Sequence, residues 1–244
     1  MNKTTQFFSL VLIAFVAIFG FLYFSGQQDL TLTLSLKSTP VAPPTAGPIE
    51  RLKKSVAPTA SLYPEAKSIS EKLNFINDQS ESLNLSEISQ GKWVLMYFGY
   101  TSCPDVCPID LSKISLSFEM MENKDKLQVV FISVDPARDI GRLDQFAGAF
   151  NSSFLGLTAH NHELETISKS LGVYHQVVVT QKLAQSDHNS NGGQETGSHE
   201  HYNVDHTTSF LLFSPDLKLT ALLTSPHEPK PMAEALDRII ETLG

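Results

Sequence analysis

Cysteine is almost absent from this chain: two residues, Cys103 and Cys107, occur among 244. A disulfide framework is therefore excluded, and whatever the two cysteines do, they do as a pair. Positive charge is scarce as well. Eighteen Lys and Arg stand against 26 Asp and Glu, a net charge of −8. That balance argues against a nucleic-acid footprint, which needs clustered cations. Hydrophobic content is 41%, ordinary for a chain that buries a core. Only one apolar run reaches bilayer length.

That run is residues 7–24, FFSLVLIAFVAIFGFLYF, without a charge. It suffices to cross a hydrocarbon core. Lys3 precedes it and Asp29 is the next charge. By the positive-inside tendency residues 1–6 stay cytoplasmic and the rest is exported. A cleaved signal peptide competes with this reading, but no small-x-small pair follows the run, so an uncleaved single-pass anchor is expected. Residues 25–68 are expected to be a tether, because Pro40, Pro43, Pro44, Pro48, Pro58 and Pro64 interrupt any helical period. The segment 69–244 is expected to be the folded domain.

Within that domain, Leu73–Ile76 and Ser82–Leu85 flank Asn77-Asp78-Gln79, the pattern of a hairpin. Trp93–Phe98 is a continuous apolar run, as in a strand buried on both faces. Leu111, Ile114, Phe118 and Met121 follow at helical spacing, then Val129–Val134 as a second buried strand. Further helices are expected around Leu143–Phe150, Leu164–Leu171 and Met232–Leu243, and further strands at Val173–Val179, Phe210–Phe213 and Leu217–Leu223. Strands alternating with helices indicate an α/β fold with a mixed central sheet, flanking helices and an N-terminal hairpin.

The two cysteines sit in Phe98-Gly99-Tyr100-Thr101-Ser102-Cys103-Pro104-Asp105-Val106-Cys107-Pro108, between a buried strand and a helix. At a helix N-terminus unpaired N–H groups favour an anion, so a depressed thiol pKa is expected. A spacing of four places both cysteines on one face of a helical first turn, able to chelate one metal ion or close a disulfide. Inert core cysteines are the plainer alternative, poorly served by a loop with two prolines and an aspartate. The spacing is not CxxC, and Pro108 excludes a CxxCH haem attachment. Zinc is not excluded by spacing.

The run YFGYTSCPDVCP resembles the signature of the Sco/SenC family, thioredoxin-like copper proteins that serve cytochrome c oxidase assembly. FISVDPARD (Phe131–Asp139) and Val204-Asp205-His206-Thr207-Thr208 resemble two further family segments, in the same order. The resemblance implies a thioredoxin-like fold and a copper site, Cu(I) or Cu(II), held by Cys103, Cys107 and His206. It also implies a metallochaperone rather than an enzyme. Its recipient would be the cytochrome c oxidase subunit carrying the CuA centre, with reduction of that subunit's cysteines as an additional role; a copper-donor protein would stand upstream. Thioredoxin-like redox proteins usually carry a cis-proline where this chain has Thr207 and Thr208, which favours metal binding.

Other readings stay open. An extracytoplasmic thiol–disulfide oxidoreductase, or a peroxide-reactive redox sensor, would use Cys103 and Cys107 as a redox-active disulfide without His206. Asp135, after a buried strand, is a candidate to orient His206 or sit beside the metal, or merely a turn residue before Pro136. Asp105 is a candidate helix cap. Residues 181–200, with His188, His199 and the neighbouring His201, read either as a solvated insertion or as a copper-collecting arm. His160, His162, His175 and His227 are expected on the surface or in satisfied positions. Lacking an Arg-rich presequence, the chain is expected in a bacterial inner membrane with its C-terminal domain in the periplasm.

Overall fold

The structure, a computed structural model, describes residues 47–68, 73–179, 202–206 and 208–244, with the backbone alone for 177–179 and 202–206. The expected anchor at 7–24 and the insertion at 181–200 lie outside the described residues. Among the described residues no helix is long and apolar enough to cross a membrane.

A six-stranded mixed sheet organises the domain. Its strands are β1 (Ala60–Ser68), β4 (Trp93–Gly99), β5 (Leu127–Ser133), β6 (Leu155–Leu157), β9 (Phe210–Phe213) and β10 (Lys218–Leu223), in the spatial order β1-β10-β9-β4-β5-β6. β4, β5 and β6 run parallel, while β9, β10 and β1 join by antiparallel pairing. Every residue of β4 is buried, which explains why its sequence does not alternate. β2 (Asn74–Ile76) and β3 (Ser82–Asn84) form the expected hairpin, closed by Asn77 Oδ1, which accepts from the amides of Gln79 at 3.0 Å and Glu81 at 2.9 Å.

The tether expected at residues 25–68 is folded in its second half: the structure places residues 48–68 inside the fold, as a helix and an edge strand. α1 (Pro48–Val56) buries Leu52 and Val56 and packs on the C-terminal helix. Pro48 stands in the first turn, where a missing N–H costs nothing, and Pro58 lies beyond the helix end. Pro64 falls where the pairing of edge strand β1 with β10 shifts register, between Leu62 and Lys67. The prolines punctuate these elements rather than abolish them.

The remaining helices are α2 (Leu85–Ser89), α3 (Val106–Met120), α4 (Pro136–Asp139), α5 (Leu143–Gly148), α6 (Asn161–Leu171) and α7 (Pro229–Leu243). α2 begins in a capping box of Asn84 and Glu87, and α3 packs against α7. A separate two-stranded sheet joins β7 (His175–Val179) to β8 (Tyr202–His206).

Candidate metal centre

The cysteine loop leaves the C-terminal end of β4 at Gly99. A Cβ on Gly99 would lie 3.0 Å from both Cys107 Sγ and Phe131 Cε2, so any larger residue there would press on the second thiol. The Gly99 carbonyl accepts from the Val134 amide at 2.8 Å, extending the β4–β5 pairing into the loop. The loop then turns back, with the Cys103 amide donating to the Tyr100 carbonyl at 3.2 Å.

A buried carboxylate clamps this turn. Asp139, fully buried, accepts from the Thr101 amide at 2.8 Å, the Thr101 hydroxyl at 2.6 Å and the Ser133 hydroxyl at 2.6 Å. Sequence reasoning recorded the segment holding Asp139 but singled out Asp135. Asp135 is buried and ion-paired to Arg138, whose guanidinium lies 5.8 Å from the centre of the Tyr100 ring. Asp135 and His175 also line one cleft of about 600 Å³ beside the α4 turn.

The two cysteines do not share a helical turn as expected. α3 begins at Val106, so Cys107 lies in its first turn while Cys103 stands in the loop before it. They meet because the Cys107 amide, one of the helix's otherwise unpaired N–H groups, donates to Cys103 Sγ at 3.3 Å. Asp105 occupies the N-cap position without a side-chain capping bond. Cys103 is partly exposed and Cys107 is buried, with no disulfide between them.

Cys107 does not have the depressed pKa that its helix position suggests. Its hydrogen bond with Cys103 pushes the thiol well above its ordinary value, and burial pushes it further; a hydrogen bond from the Tyr100 backbone and one from the Tyr97 side chain oppose this only in part. The Tyr97 phenol is raised too, chiefly by burial, then by the charges of Cys107 and Asp110. The hydrogen bond with Cys103, together with burial, outweighs the helix terminus here.

His206 ends β8, directly opposite His175 in the β7–β8 register, and its side chain lies outside the described residues. Its place in the chain is nevertheless informative. Four residues on, β9 begins at Phe210 and runs antiparallel to β4, with Leu211 opposite Met96 and Phe213 opposite Val94. The start of β9 therefore adjoins the end of β4 from which the cysteine loop departs. The rings of Phe210 and Tyr97 confirm that proximity, edge to face at 5.2 Å between centroids. Among the described residues, no three His, Cys, Asp or Glu already form a metal cluster.

A sequence profile of the SCO1/SenC family matches residues 63–241. The chain belongs to this family. This SCO1/SenC protein is 29% identical to a putative copper-binding protein of Stutzerimonas stutzeri over 67% of its own length and 74% of the relative's. It is 30% identical to the mitochondrial SCO1 homologue 1 of Arabidopsis thaliana over 57% of this chain, but spans only 37% of that longer protein. Among solved structures, it resembles Bradyrhizobium japonicum ScoI with copper bound, at TM-score 0.54 and 27% identity, covering 68% of this chain and 96% of that one. The expected thioredoxin-like, mixed α/β architecture is that of these Sco structures.

Three buried polar side chains near the cysteines escaped sequence reasoning. Asp110 carried a signal, standing three residues after Cys107 on the same helix face. Tyr97 lay hidden in an apolar run. His227 was expected on the surface or satisfied, yet it is buried, stacks on Phe210 at 3.8 Å, and its Nε2 has no hydrogen-bond partner among the described residues. His160 and His162 are exposed as expected. His188, His199 and His201 lie outside the described residues.

Proposed function

We propose that this protein carries copper as cargo, held by Cys103, Cys107 and His206, and delivers it to the CuA site of cytochrome c oxidase. The observation that carries this reading is the antiparallel placement of β9 beside β4, which brings the chain after His206 to the strand end bearing the cysteines. Two thiolates and an imidazole form a soft, compact donor set suited to Cu(I), with a nitrogen that also suits Cu(II). Each thiol gives up its proton when it becomes a ligand, so loading is pH-dependent. The clamped loop fixes the sulfurs beforehand, and burial of Cys107 keeps water from one of them. The copper-binding names of family relatives support the cargo.

On this reading residues 7–24 anchor the protein in a bacterial inner membrane, with the domain in the periplasm and an upstream protein donating copper. The adjacency of Cys107 N–H and Cys103 Sγ also suits a dithiol that reduces the recipient's cysteines before transfer. Metal analysis of the purified, reduced protein tests the proposal. About one copper per chain and a sulfur-to-Cu(II) charge-transfer band are expected. Preference for zinc, or copper bound only by surface histidines, would overturn it.

A further inference from the structure

One rung of the β7–β8 ribbon has a histidine at both ends. His175 and His206 are register partners in this antiparallel ladder. Directly opposed residues in such a ladder lie on one face, with Cβ atoms about 4.5–5.5 Å apart. Metal–nitrogen bonds to imidazole are about 2 Å long, so two rings on one rung can reach a common ion.

The face that carries this rung is the one turned to the domain. Tyr174 and Gln176, which flank His175 and alternate to the opposite face, are exposed, and the Tyr174 hydroxyl donates to Gln176 Oε1 there. His175 is half-buried and lines the cleft of about 600 Å³ together with Val134 and Asp135. Both of those residues lead to the cysteine loop. The Val134 amide donates at 2.8 Å to the carbonyl of Gly99, where the loop departs. Asp135 is ion-paired to Arg138, whose guanidinium lies 5.8 Å from the centre of the Tyr100 ring. The Tyr100 carbonyl in turn accepts from the Cys103 amide at 3.2 Å. The cleft thus opens at the cysteine edge of the sheet, and the rung of two histidines borders it.

We propose that His175 is a copper ligand, a second imidazole that joins His206 when the cargo is Cu(II). This rests on the copper reading above and adds a donor to it. Two thiolates satisfy Cu(I), whereas Cu(II) takes a fuller, tetragonal shell in which nitrogen is favoured. The ladder offers that second nitrogen from a paired strand, without rearrangement of the chain. His206 stays the donor tied to the cysteines, since β9 begins four residues after it and runs beside β4. His175 adds to it from across the rung. The two carboxylates lining the same cleft are already matched to cations, Asp135 to Arg138 and Glu165 to Lys169 at 2.6 Å.

The test counts imidazoles and separates this proposal from the cargo reading. Full-length reduced protein in detergent receives one equivalent of Cu(II) and is frozen for pulsed electron paramagnetic resonance. The remote nitrogen of each bound imidazole modulates the spin echo, and two imidazoles add combination lines that one does not. The parent protein should show those lines. His175→Phe, which keeps a strand-forming residue but no donor, should lose them and keep the sulfur-to-Cu(II) charge-transfer band. Its Cu(II) should pass to a competing chelator about tenfold faster, in the range typical of weakened metal sites. Cu(I) affinity should change less than about twofold, because both thiolates remain. A parent spectrum without combination lines, or lines retained in His175→Phe, overturns the proposal, while the sulfur band in the same samples leaves the cargo reading standing. A parent protein with no sulfur band overturns the cargo reading instead; combination lines that vanish in His175→Phe would still make His175 a copper ligand. A urea midpoint equal to the parent's confirms that the variant is folded, and should His175→Phe not fold, His175→Gln is judged by the same lines.

Discussion

The two halves of the site are built differently. The cysteine half grows from the interior: β4 is buried throughout, Gly99 slides under Cys107, and Asp139 ties the loop to β5 through Thr101 and Ser133. The proposed histidine half belongs to β7 and β8, a two-stranded sheet whose ladder, among the described residues, pairs only with itself. Such a ribbon is marginal alone, so its register has to be held by its neighbours. The contrast teaches that stability and metal chemistry are separable here. Changes in the first half should harm both, and changes in the second should harm chemistry alone.

The largest expected effect is on the interior half. Asp139→Ala strands the Thr101 amide, its hydroxyl and the Ser133 hydroxyl, and should cost about 3 kcal/mol or more. Urea unfolding measures this as a lower midpoint with unchanged slope, and copper retention should fall with it.

A smaller effect distinguishes the buried thiol. Because Cys107 keeps its proton in the folded state above its ordinary pKa of 9.0, the unfolded chain binds fewer protons there. Stability of the reduced protein should therefore be fully present below pH 9 and fall as pH rises past it. Cys107→Ala should remove that slope between pH 9 and 10, the upper bound being where Tyr97, also raised from 10.0, begins to add its own. Thermal unfolding at stepped pH reads both.

The smallest effect belongs to the ribbon. Val179 and Tyr202 are register partners, so a short turn can join them. Replacing residues 181–200 with a Gly-Ser turn should change stability by less than about 0.5 kcal/mol. Slower copper loading with unchanged final occupancy would show that the histidines there collect copper.

Legibility in the sequence followed the same division. The apolar runs at Trp93–Phe98 and Val129–Val134 announced β4 and β5, because strands buried on both faces need no alternation to be seen. The cysteine loop was legible through its residues. The pKa of Cys107 was not, since a helix N-terminus and core burial push it in opposite directions and only the fold shows which face the thiol takes. α1 and β1 were hidden by prolines that sit at a first turn and a register shift, positions where proline is harmless. β6 has three residues, too few for a pattern. Asp139, Asp110 and His227 find partners far away in the sequence or across elements, and no local spacing reveals such pairs.

The central claim, a copper site closed by a histidine from outside the interior half, is tested most directly by His206→Ala. Both cysteines remain, and two thiolates suffice for low-coordinate Cu(I), so Cu(I) should still bind, less tightly. Cu(II) favours a fuller shell with nitrogen, so its charge-transfer band and retention should be largely lost. The urea midpoint should stay within the range of about 0.5 kcal/mol typical of a surface change. Cu(II) binding equal to that of the parent protein would contradict the account and return Cys103 and Cys107 to a purely redox role.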